Sequence, residues 1–321
     1  MAHHPNLDPE LAAALGQAVL PAFDLSTLSP EDLPGVRAQM NAVLAAAPPT
    51  DPRVTIEDRH VPGPDGGPDV RLRVYRPAGE TRDLPCLYWI HGGGMIIGMP
   101  EADDTKMTEL VLQAGCAVVS VDYRLAPEHP HPAPVEDCYA GLVWTAKNAT
   151  ELGIHADRIA VGGASAGGGL AAATVLLARD RGGPAIAFQL LVYPMLDDRN
   201  ITPSSHEFTD AVIWNRAANL FGWKALLGDA AGTEEVSPYA APARATDLSG
   251  LPPAYINVGE LEVFRDECID YAHRLIRAGV STELHLYPGA FHGFDTLVPQ
   301  ATISRRSAAE LAAALRRALA R

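Results

Sequence analysis

Three short runs, PCLYWI, CAVVSV and AFQLLVY, are almost continuously apolar and have the length of strands. A strand presents two faces, so apolar residues on both mean that both are covered, as in a parallel sheet clothed by helices. Around these runs lie further strand candidates, VTIEDRHV, VRLRVYRP, RIAVGG, AYINVG and TELHLYP. Between them, helical patterns run near Asp103 to Ala114, Val135 to Asn148, Ala166 to Arg179, Arg265 to Ala278 and Ser304 to Ala320. The alternation predicts an α/β chain with a mostly parallel sheet of about eight strands and helices on both faces. With 47% hydrophobic residues in 321, there is enough apolar material for a large core.

Charge and composition narrow the partners. A formal net charge of -14 and no long basic run argue against a phosphate-gathering surface, so no nucleic-acid partner is expected. The start, MAHHPNLDPE, lacks a basic segment followed by an apolar one, and Leu11 to Phe23 is too short and interrupted to span a bilayer; no membrane partner is expected and the cytoplasm is the expected location. Cys86, Cys116, Cys138 and Cys268 show no CxxC pairing and read as small buried hydrophobes. The adjacent His3 and His4 read as bystanders at a chain end, and no metal or cofactor is expected.

Two segments depart from the alternation. Residues 1–50 hold two helix-like stretches, Pro9 to Val19 and Pro34 to Ala47, before any strand. Residues from about 197 to 245 hold another, Ala211 to Leu227, rich in aromatics: Trp214, Phe221 and Trp223. Each aromatic could be ordinary packing. Together the segments read as a helical cap over the sheet end that carries function, with 51–321 as the catalytic domain and Trp214 as a candidate substrate-lining residue.

The stretch AVGGASAGGG sets Ser165 among five glycines, between the strand run RIAVGG and the following helix. Here Gly163-Ala164-Ser165-Ala166-Gly167 fits GxSxG in its strand, turn, helix context. A sharp turn that holds its serine in a strained conformation brings the flanking residues against neighbouring chain, and glycine relieves the clash. The helix start aims N–H groups at the serine, a setting suited to an oxyanion. A dinucleotide reading of Gly167 to Ala172 fails on its distance from a strand ending at Val161 and on a missing acid about 20 residues on.

A hydroxyl nucleophile needs a base, an orienting acid and oxyanion donors. His292 follows the last strand candidate, so its loop faces the same sheet end as Ser165, and His91-Gly92-Gly93-Gly94 follows PCLYWI there too. Taken in order, HGGG at 91–94, YRLAPE at 123–128, GASAG at 163–167, FRDE at 264–267 and HGF at 292–294 resemble the bacterial hormone-sensitive-lipase-like esterases of the α/β-hydrolase superfamily. The likeness covers about residues 60 to 300.

That resemblance implies an α/β-hydrolase fold, a Ser165 nucleophile, a His292 base and an oxyanion hole from the N–H groups of Gly93, Gly94 and Ala166. The family's D-P-L-x-D-E is Glu262-Val263-Phe264-Arg265-Asp266-Glu267 here, so the orienting acid falls on Glu262. Asp266 competes for that role, with Glu260 and Asp270 behind it. A second departure is Ala164, where the family commonly has aspartate. YRLAPE, with Asp122, Tyr123, Arg124 and Glu128, reads as a brace. Met95, Ile96 and Ile97 line either a substrate pocket or the core. The implied activity is cofactor-independent hydrolysis of short to medium acyl esters of small molecules, and the resemblance admits a homodimer. A non-catalytic receptor on the same fold, or an amidase or acyltransferase with the same triad, are the alternatives.

Overall fold

A computed structural model of the chain describes residues 4–16, 29–45, 51–64, 66–79, 82–211 and 213–320. Among them eight strands form one sheet: β1 (Val54–Val61), β2 (Val70–Pro77), β3 (Leu84–Ile90), β4 (Ala117–Asp122), β5 (Ile154–Ala164), β6 (Phe188–Val192), β7 (Ala254–Leu261) and β8 (Thr282–Phe291). The helices are α1 (Pro9–Leu15), α2 (Leu33–Ala45), α3 (Asp104–Ala114), α4 (Ala133–Lys147), α5 (Ala149–Leu152), α6 (Ala166–Asp180), α7 (Pro203–Glu207), α8 (Arg216–Leu227), α9 (Arg265–Arg277), α10 (Phe294–Leu297) and α11 (Thr302–Leu319). The expected helix ends at Val19 and Ala47, and His3, lie outside the described residues.

The spatial order is β1-β2-β4-β3-β5-β6-β7-β8. Only the pairings of β1 with β2 and β2 with β4 are antiparallel. The apolar runs occupy the middle: β6 is buried along its whole length and β4 all but its last residue, while the edge strand β1 alternates with solvent. Helices α3 and α11 pack together on one face, and α4 and α6 on the other. All four cysteines are buried and unpaired.

Strand order decides where a site can form. From β3 the chain steps outward to β4, then returns across β3 to lay β5 on its other side. A crevice opens where such an order reverses, at the carboxyl ends of the two strands. The register pairs Ile90 with Gly163, so the loop after β3 and the turn after β5 emerge side by side.

Two sequence boundaries are corrected. The strand expected to end at Val161 continues to Ala164, because Gly162, Gly163 and Ala164 pair with Leu190, Leu191 and Val192. That removes the distance objection to a dinucleotide loop, and packing supplies a better one: a Cβ on Gly169 would lie 2.0 Å from Met195 O, so this glycine faces backbone, not a ligand. The helix expected from Ala211 starts instead at Arg216, where the Asn215 side chain accepts from Ala218 N and caps it.

Candidate active site

Ser165 stands between β5 and α6 with φ 59° and ψ −122°, a backbone conformation that costs a non-glycine residue about 1–3 kcal/mol. Packing on both sides holds it there. Its N–H donates to Val192 O at 2.8 Å, and its carbonyl accepts from Met195 N at 3.0 Å. A Cβ on Gly163 would sit 2.2 Å from Gly167 O, and one on Gly167 would sit 2.1 Å from Ile90 O. Glycine at these two positions therefore answers a real crowding, as the GxSxG reading expects.

The side chain is nearly buried, and its Oγ lies 3.0 Å from His292 Nε2. His292 follows β8 directly, and its Nδ1 contacts Glu262 Oε2 in a buried hydrogen bond. A carboxylate only accepts, so Nδ1 carries the proton and Nε2 is left to accept from the serine hydroxyl. The longer glutamate fits because its other oxygen, Oε1, accepts from Gly259 N at 2.6 Å. Gly259 must be glycine: a Cβ there would lie 2.4 Å from Ala290 O and 3.2 Å from Glu262 Oε1.

The three competing acids are engaged elsewhere or face solvent. Asp266 accepts from Ser204 N at 2.7 Å and from Arg265 Nε, tying α7 to α9. Glu260 accepts from Gly289 N, and Asp270 is exposed. Glu267, the last acid of the run, is buried against the N–H groups of Leu196 and Asp197, and burial pushes its carboxyl well above the usual range.

The loop after β3 lies against this line of groups. A Cβ on Gly92 would be 3.4 Å from Ser165 Cβ, and Gly93 and Gly94 have φ of 115° and 62°. Among the described residues, the N–H groups of Gly93, Gly94 and Ala166 donate to no protein acceptor. His91 steadies the loop: its Nδ1 lies 2.8 Å from Gly92 O, and its ring stacks on Tyr123 at 4.3 Å. That carbonyl belongs to the same peptide plane as Gly93 N–H, so holding one aims the other. Burial holds the His91 imidazole below the usual histidine range, which keeps it neutral. Tyr123 also donates to His91 O, so YRLAPE does brace this loop, while Arg124 pairs with buried Asp137.

The residues suggested as pocket lining divide. Met95 and Ile96 are enclosed in the core, and Ile97 is nearly so. Trp214 instead lies across Gly94, where a Cβ would meet its ring at 2.1 Å. Its Nε1 donates to Asn219, whose amide donates to Asn200, so the indole is held in place by α8. Helix α2 reaches the same loop through Arg37, which donates to Ile96 O and Ala126 O and pairs with Glu128. No group of three or more His, Cys, Asp or Glu is placed to hold a metal ion among the described residues, and no helix there is long and apolar enough to cross a membrane.

A family model described as alpha/beta hydrolase fold matches residues 87–296, which include Ser165, Glu262, His292 and the glycine loop after β3. The chain is an α/β-hydrolase of the hormone-sensitive-lipase-like carboxylesterase family. Among relatives of this α/β-hydrolase, carboxylesterase NlhH of Mycobacterium tuberculosis is 38% identical over 317 residues, covering 98% of this chain and 97% of the relative. An arylesterase of Saccharolobus solfataricus is 35% identical over 269 residues, covering 81% and 83%. Among solved structures, one described as a bacterial heroin esterase superposes with a TM-score of 0.92 at 48% identity, covering 98% of each chain. Membership in the family agrees with the ordered motifs and with the sheet.

The sequence did not point to the groups that face the other side of His292. Tyr193 and Phe264 set ring edges against the imidazole, with centroids 4.7 and 5.1 Å away. Tyr193 OH donates to Asp295 Oδ1 at 2.9 Å, and Asp295 Oδ2 pairs with Lys106 at 2.9 Å.

Proposed function

We propose that this carboxylesterase hydrolyses small-molecule esters through an acyl-enzyme on Ser165. His292 takes the hydroxyl proton at Nε2 as Oγ attacks the ester carbonyl; Glu262 holds the imidazole in the required tautomer and stabilises the imidazolium. The negative oxygen falls to the N–H groups of Gly93, Gly94 and Ala166. His292 returns its proton to the departing alcohol, then activates water to free the acid. The single observation that carries this reading is His292 bonded at once to Ser165 and Glu262 beside three undonated amides.

The acyl group is short to medium. Trp214 lying across Gly94 closes the space beside the oxyanion donors and supports this range. We assign α1, α2, α7 and α8 to the cap, on the strength of contacts such as Arg37 to Ile96 O and Gly222 against Gly94 O. The four unpaired cysteines fit a reducing compartment, the cytoplasm. The expectation of a homodimer rests on the resemblance alone.

A fluorophosphonate should label Ser165 in the wild-type chain and nothing in Ser165→Ala, whose kcat should fall by about 10⁴-fold or more. A folded wild type that resists labelling would return the reading to a non-catalytic receptor. Against p-nitrophenyl esters of rising acyl length, kcat/KM should peak at short or medium chains. A peak at long chains would overturn that substrate range.

A further inference from the structure

We infer that Tyr193, Asp295 and Lys106 form a second positioning array for His292, acting on the side that Glu262 does not reach. The inference rests on the serine-esterase reading above. Two hydrogen bonds, at Nδ1 and Nε2, together with the Cβ–Cγ bond set the plane of the imidazole, but they are soft toward small tilts about the side-chain torsions. The ring edges of Tyr193 and Phe264, inclined at 67° and 79°, resist those tilts.

Tyr193 itself must be held. Its φ of 35° is unfavourable for a bulky residue, and it persists because Tyr193 N donates to Asn257 O at 2.8 Å and the hydroxyl donates to Asp295. Asp295 lies three residues after His292, on the short turn α10, so this bond ties the histidine loop to the end of β6.

Lys106 of α3 completes the array. Its ammonium pairs with Asp295 and lies 5.7 Å from the Trp89 ring centroid, while Trp89 Nε1 donates to Asp103. Burial pushes the Asp295 carboxyl up, but the Lys106 charge and the hydrogen bonds of Lys106 and Tyr193 outweigh it and hold the group below the usual range. Packed apolar side chains would serve stability as well as a buried ion pair does. What the pair adds is an anchor for the tyrosine hydroxyl whose net charge is zero at the far end of the ring that touches His292.

That neutrality gives a test that simple loss of packing would not mimic. The groups facing His292 are Ser165, Glu262 with Glu267 behind it, and Tyr193 with Asp295 and Lys106 beyond; Asp103 and Glu109 lie near Lys106. In Lys106→Met the charge that holds Asp295 low is lost and burial draws its carboxyl toward the neutral form, so no net charge is left and the acid limb of kcat/KM should move by less than about 0.3 pH unit. In Asp295→Asn the leftover ammonium disfavours imidazolium, and the limb should move down by about 0.5 to 1 pH unit. Tyr193→Phe keeps the ring and loses the anchor; kcat should fall about 5- to 10-fold with KM within about twofold.

Full-length variants are assayed on p-nitrophenyl acetate from pH 5 to 9, with thermal melts recorded beside them. A limb that falls in Asp295→Asn and stays in place in Lys106→Met supports the array. No fall in Asp295→Asn, or an equal fall in both, overturns it. Should Lys106→Met fail to fold, Asp295→Asn and Tyr193→Phe decide: a limb that does not fall in the first, together with unchanged kcat in the second, overturns it. Fluorophosphonate labelling of the wild type separates the two levels. Labelling at Ser165 with unresponsive variants sinks the array alone, whereas an unlabelled wild type sinks the esterase reading beneath it.

Discussion

Glu262→Gln is expected to lower kcat toward an aryl ester by about 10³- to 10⁴-fold while leaving KM within about threefold. Glutamine has the shape of glutamate, and its carbonyl can still accept from Gly259 N, as Oε1 does at 2.6 Å. The other terminus becomes an NH₂ facing His292 Nδ1, where a carboxylate oxygen now accepts. A donor cannot face a donor, so the imidazole must move its proton to Nε2. That nitrogen lies 3.0 Å from Ser165 Oγ and would no longer be free to take the hydroxyl proton. The matched control is Asp266→Asn, expected to stay within about threefold of wild type, because Asp266 serves Ser204 N and Arg265 and touches neither His292 nor Ser165. Steady-state kinetics on both variants check the assignment. A collapse in Asp266→Asn with a mild Glu262→Gln would reverse it.

The sheet was readable in the sequence because strands covered on both faces leave a signal that survives without neighbours: runs such as AFQLLVY in β6 tolerate no polar alternation. Ser165 and His292 were readable because sharp turns and loop ends demand particular small residues beside them. The acid was only partly so. Five carboxylates lie from Glu260 to Asp270 within easy reach of β7, and the choice among them turns on which one Gly259 N can hold toward His292. That is a tertiary fact, set by the crowding of Gly259 against Ala290 O.

Other misses share that cause. The strand ending at Val161 looked finished because glycines are poor strand formers, yet the ladder to β6 carries Gly162 and Gly163 regardless. Trp214 looked helical beside Phe221 and Trp223, but its indole is occupied at Gly94 and the helix waits for the Asn215 cap. Tyr193, Asp295 and Lys106 come from three separate elements, and no local pattern announces that they meet. Tyr-Pro after a strand and Asp after HGF are the only traces they leave in the sequence.

Gly93→Ala should lower kcat by about 10²- to 10³-fold, the loss that follows when one oxyanion donor is removed. The conflict is local and double. At φ 115° the backbone is open only to glycine, and an added Cβ would stand 2.1 Å from Ile97 O. Ile97 cannot simply give way, since its N–H and that of Ile96 both donate to Gly93 O, closing the loop on itself. Relief must come from rotating the peptide that carries Gly93 N–H, whose carbonyl side is held by His91. That rotation turns the donor away from the developing oxygen without touching Ser165, His292 or Glu262. Gly35→Ala, in helix α2 where a Cβ meets nothing within 4 Å, is the control and should leave activity unchanged, with melting the same or slightly higher because alanine favours the helix. Because phosphonylation also builds negative charge on oxygen, labelling of Ser165 should slow in Gly93→Ala but still reach completion. A folded Gly93→Ala with kcat within about fivefold of wild type would show that this amide is not an oxyanion donor.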